Sequence, residues 1–103
     1  MDKATSRRVP VYVVVPPRVL LLDVAGPMEV LRKANLLQSA VHFDVVFVGP
    51  ARRMGSSVGI TVADIRPLPA KLADGALVVV PGHADLRSSG YAPGMENDAS
   101  RRA

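Results

Sequence analysis

Residues 20–30 read LLLDVAGPMEV, and the reading of this stretch decides the fold. Three leucines lead into an aspartate and then into Gly26-Pro27, and the apolar residues change from a continuous run to a helical spacing. Asp23 is expected as a helix N-cap, its carboxylate accepting backbone N–H groups. Gly26 and Pro27 then fall in the first turn, where a missing N–H costs least. Beyond them, Val30, Leu31, Ala34 and Leu37 form the apolar stripe of an amphipathic helix running to about Ser39, with Arg32, Lys33 and Gln38 outside it. In an open α/β sheet, ligands gather just past the carboxyl ends of the strands, so this transition is the first place to look for a site.

Working outward, residues 9–16 (VPVYVVVP) form a short apolar run closed by prolines, which predicts a buried strand with Pro10 at its start. Residues 41–48 (VHFDVVFV) predict a second strand ended by Gly49-Pro50. Residues 55–59 (GSSVG) predict the bend of a hairpin, with 60–63 as its return strand. Pro67 and Pro69 bracket a connection in which residues 70–74 are expected to make one helical turn. Residues 76–80 (ALVVV) predict a third buried strand, stopped by Pro81-Gly82. Residues 1–8 are expected to be frayed, and 83–103 to be a loop or disordered tail, leaving 1–82 as the folded part. Strands alternating with a helix predict an α/β class with a mostly parallel sheet, right-handed crossovers and a β-hairpin.

Composition narrows the chemistry. The 103 residues hold one small domain at most, and 49% are apolar, enough for a core. There is no cysteine, so disulfides, thiolate metal sites and a cysteine nucleophile are all excluded. No apolar run is long enough to span a bilayer, and no signal peptide is read, so the cytoplasm is the expected location. The formal charge of +4 is spread over small groups such as Arg7-Arg8, Arg32-Lys33, Arg52-Arg53 and Arg101-Arg102. No aromatic residues interleave with them, and direct DNA binding by this chain is not expected.

Residues 11–35 (VYVVVPPRVLLLDVAGPMEVLRKAN), followed by FDVVFVGP, GSSVGITV and ALVVVPG, resemble the opening of a ThiJ/PfpI-type domain. The resemblance covers about residues 9–82 and is nearest to the version fused to AraC-type regulators, often called GlxA-like. It implies a fold similar to class I glutamine amidotransferases, a flavodoxin-like doubly wound sheet of which this chain holds the front half. In the enzymatic members a cysteine on a strand-to-helix elbow meets a glutamate of the first helix, and backbone N–H groups after a Pro-Gly step line the oxyanion side. By position the resemblance implies Glu29 as that glutamate and Gly82-His83 as the step, making Glu29, Gly82 and His83 the ligand-binding candidates. His83 departs from the family pattern, which has a second glycine there. The elbow and its cysteine are not found in these residues.

From the residues themselves, Glu29 has a second reading as an exposed partner of Lys33 at i,i+4. Asp23 reads as a cap. His42 reads as structural, and Ser56 and Ser57 as turn residues. No metal site and no cofactor are expected, because neither histidine has a second ligand at a suitable spacing. Two functions follow from the resemblance. One is a non-catalytic ligand-sensing and association part of an AraC-type transcriptional regulator, without the DNA-binding domain. The other is half of a ThiJ/PfpI-type hydrolase or hydratase, inactive alone. In either case residues 76–80 should lie beside 9–16 with their outer edge open, which predicts self-association.

Overall fold

The computed structural model describes residues 6–84. In chain order they form β1 (Arg7–Val14), α1 (Leu21–Leu37), β2 (Val41–Gly49), β3 (Met54–Gly55), β4 (Thr61–Val62), β5 (Arg66–Pro67) and β6 (Leu77–Val79). Four strands make one sheet in the order β5-β2-β1-β6, with every neighbouring pair parallel. β3 and β4 form a separate antiparallel hairpin. This is an α/β fold consistent with part of a flavodoxin-like sheet. Residues 1–5, and the segment 85–103 expected to be a tail, lie outside the described residues.

β1 is the centre of the sheet. It pairs with β2 over eight residues, Arg7↔Val41 to Val14↔Val48, and with β6 over Val11–Val13. Arg7 and Arg8 therefore belong to the strand and are not frayed. Pro10 lies inside β1 instead of at its start. It is accommodated because β6 does not reach it, so β1 has an open side there. Alternate residues Val9, Val11 and Val13 are buried against Val24, Met28 and Leu31 of α1. A second buried cluster, Val15, Val19 and Ile65, continues the core past the end of the strand.

α1 begins at Leu21, earlier than expected, and Leu20 occupies its N-cap without a side-chain cap hydrogen bond. Asp23 is thus a residue of the first turn and not the cap. Pro27 falls in the second turn, where it removes the bond that Asp23 C=O would accept. Of the expected stripe, Leu31 packs against the sheet and Ala34 is half-buried, but Val30 is 67% and Leu37 74% exposed, and the inward face continues through Val24 and Met28 instead. Two amide side chains fix the end of the helix to β2. Asn35 Oδ1 accepts the Phe43 N–H (2.8 Å), and its Nδ2 donates to Phe43 C=O (3.0 Å). Gln38 does the same for Val41, at 2.9 and 2.8 Å. Asn35 and Gln38 therefore satisfy the edge of β2 where no strand pairs with it.

The connection from β5 to β6 passes Tyr12, whose hydroxyl accepts the Ala73 N–H (3.3 Å). Tyr12 alternates with Val11 and Val13, so the connection crosses the face opposite α1, as a right-handed crossover in the reverse direction requires. The helical turn expected at 70–74 is replaced by bends and a turn closed by Ala76 N–H to Ala73 C=O, with Gly75 at φ 72°. β6 is less buried than expected: Leu77 and Val78 are each nearly half exposed, and among the described strands only β1 flanks them.

Arg8 and Asp44 tie the amino ends of β1 and β2 through two hydrogen bonds, Nε to Oδ2 at 2.9 Å and a second from the other guanidinium nitrogen to Oδ1. The hydrogen bond from Arg8 holds the Asp44 carboxyl below the ordinary carboxylate range, with smaller support from the charges of Arg8 and His42. A lowered folded-state pKa contributes stability above the unfolded value, about 3.9, and that contribution is lost as the pH falls toward the folded value. Arg8→Gln is expected to raise the Asp44 midpoint in an NMR carboxyl titration and to remove this part of the acid dependence. An unchanged midpoint would contradict the assignment.

Candidate functional site

Past the end of β1, Pro16 and Pro17 turn the chain, and Arg18 adopts a left-handed backbone (φ 60°). Residues 18–20 are then held from two sides. On one side the Arg18 N–H donates to Gly55 C=O (2.7 Å), and Val19 C=O accepts the Ser57 N–H (2.9 Å). On the other, the Leu20 N–H donates to Gly82 C=O (3.0 Å), and Arg18 C=O accepts the Ala84 N–H (2.8 Å). The Arg18 guanidinium adds a bond from Nε to Ala84 C=O (2.9 Å). Val19 at the centre is fully buried. The hairpin, the start of α1 and the segment after β6 are thus joined at the carboxyl ends of β1 and β6, where an open α/β sheet places its ligands.

The carboxylate that reaches this junction is Asp23. Its Oδ2 accepts the Gly82 N–H at 2.9 Å. A Cβ on residue 82 would lie 3.0 Å from that oxygen and 3.1 Å from Leu20 Cδ1, so glycine allows the close approach. Glu29 is six residues further along α1, about 9 Å at 1.5 Å per residue. It is exposed and accepts a hydrogen bond from Arg32 Nε (2.7 Å), an i,i+3 pair in place of the expected Lys33 pair. Gly82 and His83 do lie at the junction, with His83 in an isolated antiparallel bridge to Val19 and its side chain exposed. Of the expected residues, the fold gathers Asp23, Gly82 and His83 and leaves Glu29 apart. His42 lies at the other end of the sheet, with Nε2 3.5 Å from Asp44 Oδ1.

Two features of the junction were not expected from the residue pattern. Ser56, read as a turn residue, is 93% buried with its hydroxyl lacking a hydrogen-bond partner among the described residues. Separately, a hollow of about 200 Å³ lies between the first turn of α1 and the ends of β1, β2 and β4. Val15, Val19, Leu21, Val24, Phe47 and Val62 line this hollow, so it suits an apolar group. Among the described residues no three His, Asp or Glu side chains are grouped to hold a metal ion, and no helix is long and apolar enough to cross a membrane. The arrangement can bind and position a ligand through a carboxylate and backbone groups. It presents no thiol, since the chain has no cysteine.

No family model matches this chain, and no curated protein matches it. Among solved structures it is similar to the crystal structure of an AraC family transcriptional regulator from Pseudomonas putida, with a TM-score of 0.64 and 23% identity over 91% of this chain. The match covers 59% of that regulator, so this chain spans about three-fifths of its length. What the two share at this identity is the fold.

Proposed function

We propose that this chain is a non-catalytic ligand-sensing and association part of an AraC-type transcriptional regulator, built on a ThiJ/PfpI-like domain. DNA binding would come from outside these residues, and the site of action is the cytoplasm. The observation that carries this reading is the Asp23–Gly82 contact at the carboxyl ends of β1 and β6, in a chain without cysteine. It is a ligand-type position furnished with a carboxylate and backbone groups, and no cysteine nucleophile stands with them. The likeness in fold to a regulator supports the same reading.

Association is assigned to β6. The opposite margin of the sheet is blunted by Asn35, Gln38 and β5, whereas β6 and the residue after it expose Leu77, Val78 and Val80, with no charge or proline between residues 76 and 80. The test is a fusion of residues 1–103 to a helix-turn-helix domain that represses a reporter only as a dimer. Repression is expected, and Leu77→Lys with Val80→Lys should relieve it at equal expression. A fusion no more repressive than the helix-turn-helix domain alone would overturn the reading. The alternative, half of a ThiJ/PfpI-type hydrolase or hydratase, rests on the same open edge, where a partner's strand bearing a cysteine elbow would join. It requires activity that appears only on mixing with that partner.

A further inference from the structure

A groove past the carboxyl end of β2 and at the start of β5 is lined with arginine. Arg52 and Asp64 line two adjoining hollows of about 400 and 430 Å³; Arg53 adds to the first and Arg66 to the second. These volumes are within the range of small-molecule pockets and exceed what a lone ion would occupy. Three arginines and one aspartate thus line the two hollows together. None of the three makes an ion pair within 4.0 Å with a described residue, whereas Arg8 and Arg32 both do.

The walls are held in place. The Ile65 N–H donates to Arg52 C=O (3.2 Å), and Ile65 is buried in the core beside Gly49. Asp64 and Arg66 therefore flank a fixed residue, and Asp64 takes a left-handed backbone (φ 62°) that Asp tolerates better than most side chains. Arginine presents a planar fork of donors that matches the oxygens of a phosphate, and it stays charged at any ordinary pH. A phosphate monoester carries about −1.5 to −2 charges near pH 7, which offsets the excess of guanidinium over carboxylate in the groove.

We propose that this groove binds a hydroxyl-bearing phosphate monoester. Arg52, Arg53 and Arg66 surround the phosphate, and Asp64 accepts from a hydroxyl of the organic part. The site is separate from the Asp23–Gly82 junction and does not depend on the regulator reading.

The test is an NMR titration of the 15N-labelled chain with glycerol 3-phosphate at constant ionic strength, with sodium chloride, inorganic phosphate and a duplex oligonucleotide as the other titrants. Saturable shifts are expected at the amides of residues 52–53 and 64–66. Arg53→Gln and Arg66→Gln, both at exposed positions, should each weaken binding several-fold, and their combination at least tenfold. Asp64→Asn should reduce the preference for glycerol 3-phosphate over inorganic phosphate. Shifts that match the sodium chloride control, or unchanged affinity in the combined variant, would overturn the proposal. Tighter binding of the duplex, lost in the same variant, would also overturn it by assigning the groove to a nucleic-acid backbone.

Discussion

Gly49→Val is expected to abolish the cooperative unfolding transition of this chain in urea, followed by circular dichroism. Gly49 ends β2, at the point where β1 and β2 come off the sheet together. A Cβ there would lie 2.7 Å from the backbone oxygen of Val15 and 3.0 Å from Ile65 Cγ2. The first contact is with main chain, and that main chain is fixed by the bond from the Val15 N–H to Val48 C=O (2.8 Å). Neither side can give way without parting the strands or displacing the second core cluster of Val15, Val19 and Ile65. Overpacking of this kind costs about 1–3 kcal/mol for a single added group, and valine adds two further carbons. A core this small has little stability in reserve. Gly26→Ala is the matched control. A Cβ on Gly26 meets nothing within 4 Å, and alanine should gain up to about 1 kcal/mol from helix propensity. Equal stability of the Gly49→Val variant and the wild type would refute the packing described here.

Leu77→Lys combined with Val80→Lys is expected to convert an associating chain into a monomer. β6 is short, bonded on one side to Val11–Val13, and has no described strand on its other side. Its apolar side chains stay in contact with solvent, Val80 at 73% exposure. An edge strand with unpaired N–H and C=O groups and no charge is a template for pairing with another chain. A second copy joined there would extend the sheet and cover Leu77, Val78 and Val80 on both sides. Lysine at two of these positions places like charges across such a contact; Leu77 pairs with Val11 on the core face, so the variant must also be shown to stay folded. Light scattering should show the mass falling to that of one chain, with the far-ultraviolet spectrum retained. A double variant that associates as strongly as the wild type would move the contact away from β6.

Much of the architecture is legible in the residue pattern because strands and turns leave local marks. The valine-rich run around Val11 and Val13, and the prolines and glycines at Pro16, Gly49 and Pro81, place three of the four sheet strands within a few residues. Gly55 and Gly59 locate the hairpin, and Gly59 does take a left-handed backbone (φ 94°). The inward face of α1 is legible only in part. The expected stripe is right at Leu31 and Ala34 and wrong at Val30 and Leu37; the inward face runs through Val24, Met28 and Leu31, also at helical spacing, and Asn35 and Gln38 tie the end of the helix to backbone groups of β2. β5 also leaves no mark, since two residues beside prolines look like any connection.

The site was legible by region and less so by residue. Gly82 and His83 lie at the junction expected for them. Asp23 and Glu29 exchange their expected standing, because the helix starts two residues before Asp23 and so turns its carboxylate toward the end of β6. Ser56 could not be separated from Ser57 by turn chemistry, and its burial comes from the packing of the hairpin against Val19. Arg52-Arg53 read as one of several small basic groups, and the parallel pairing of β2 with β5 is what brings Arg66 near them.

Size-exclusion chromatography with light scattering on the unmodified chain, from one to a hundred micromolar, tests most directly whether the open edge of β6 is an association surface. One chain weighs 10.9 kDa. A folded species of at least twice that mass, growing with concentration, is the predicted result. A folded monomer across the whole range would contradict it, and with it the assignment of β6 as the edge through which this chain assembles.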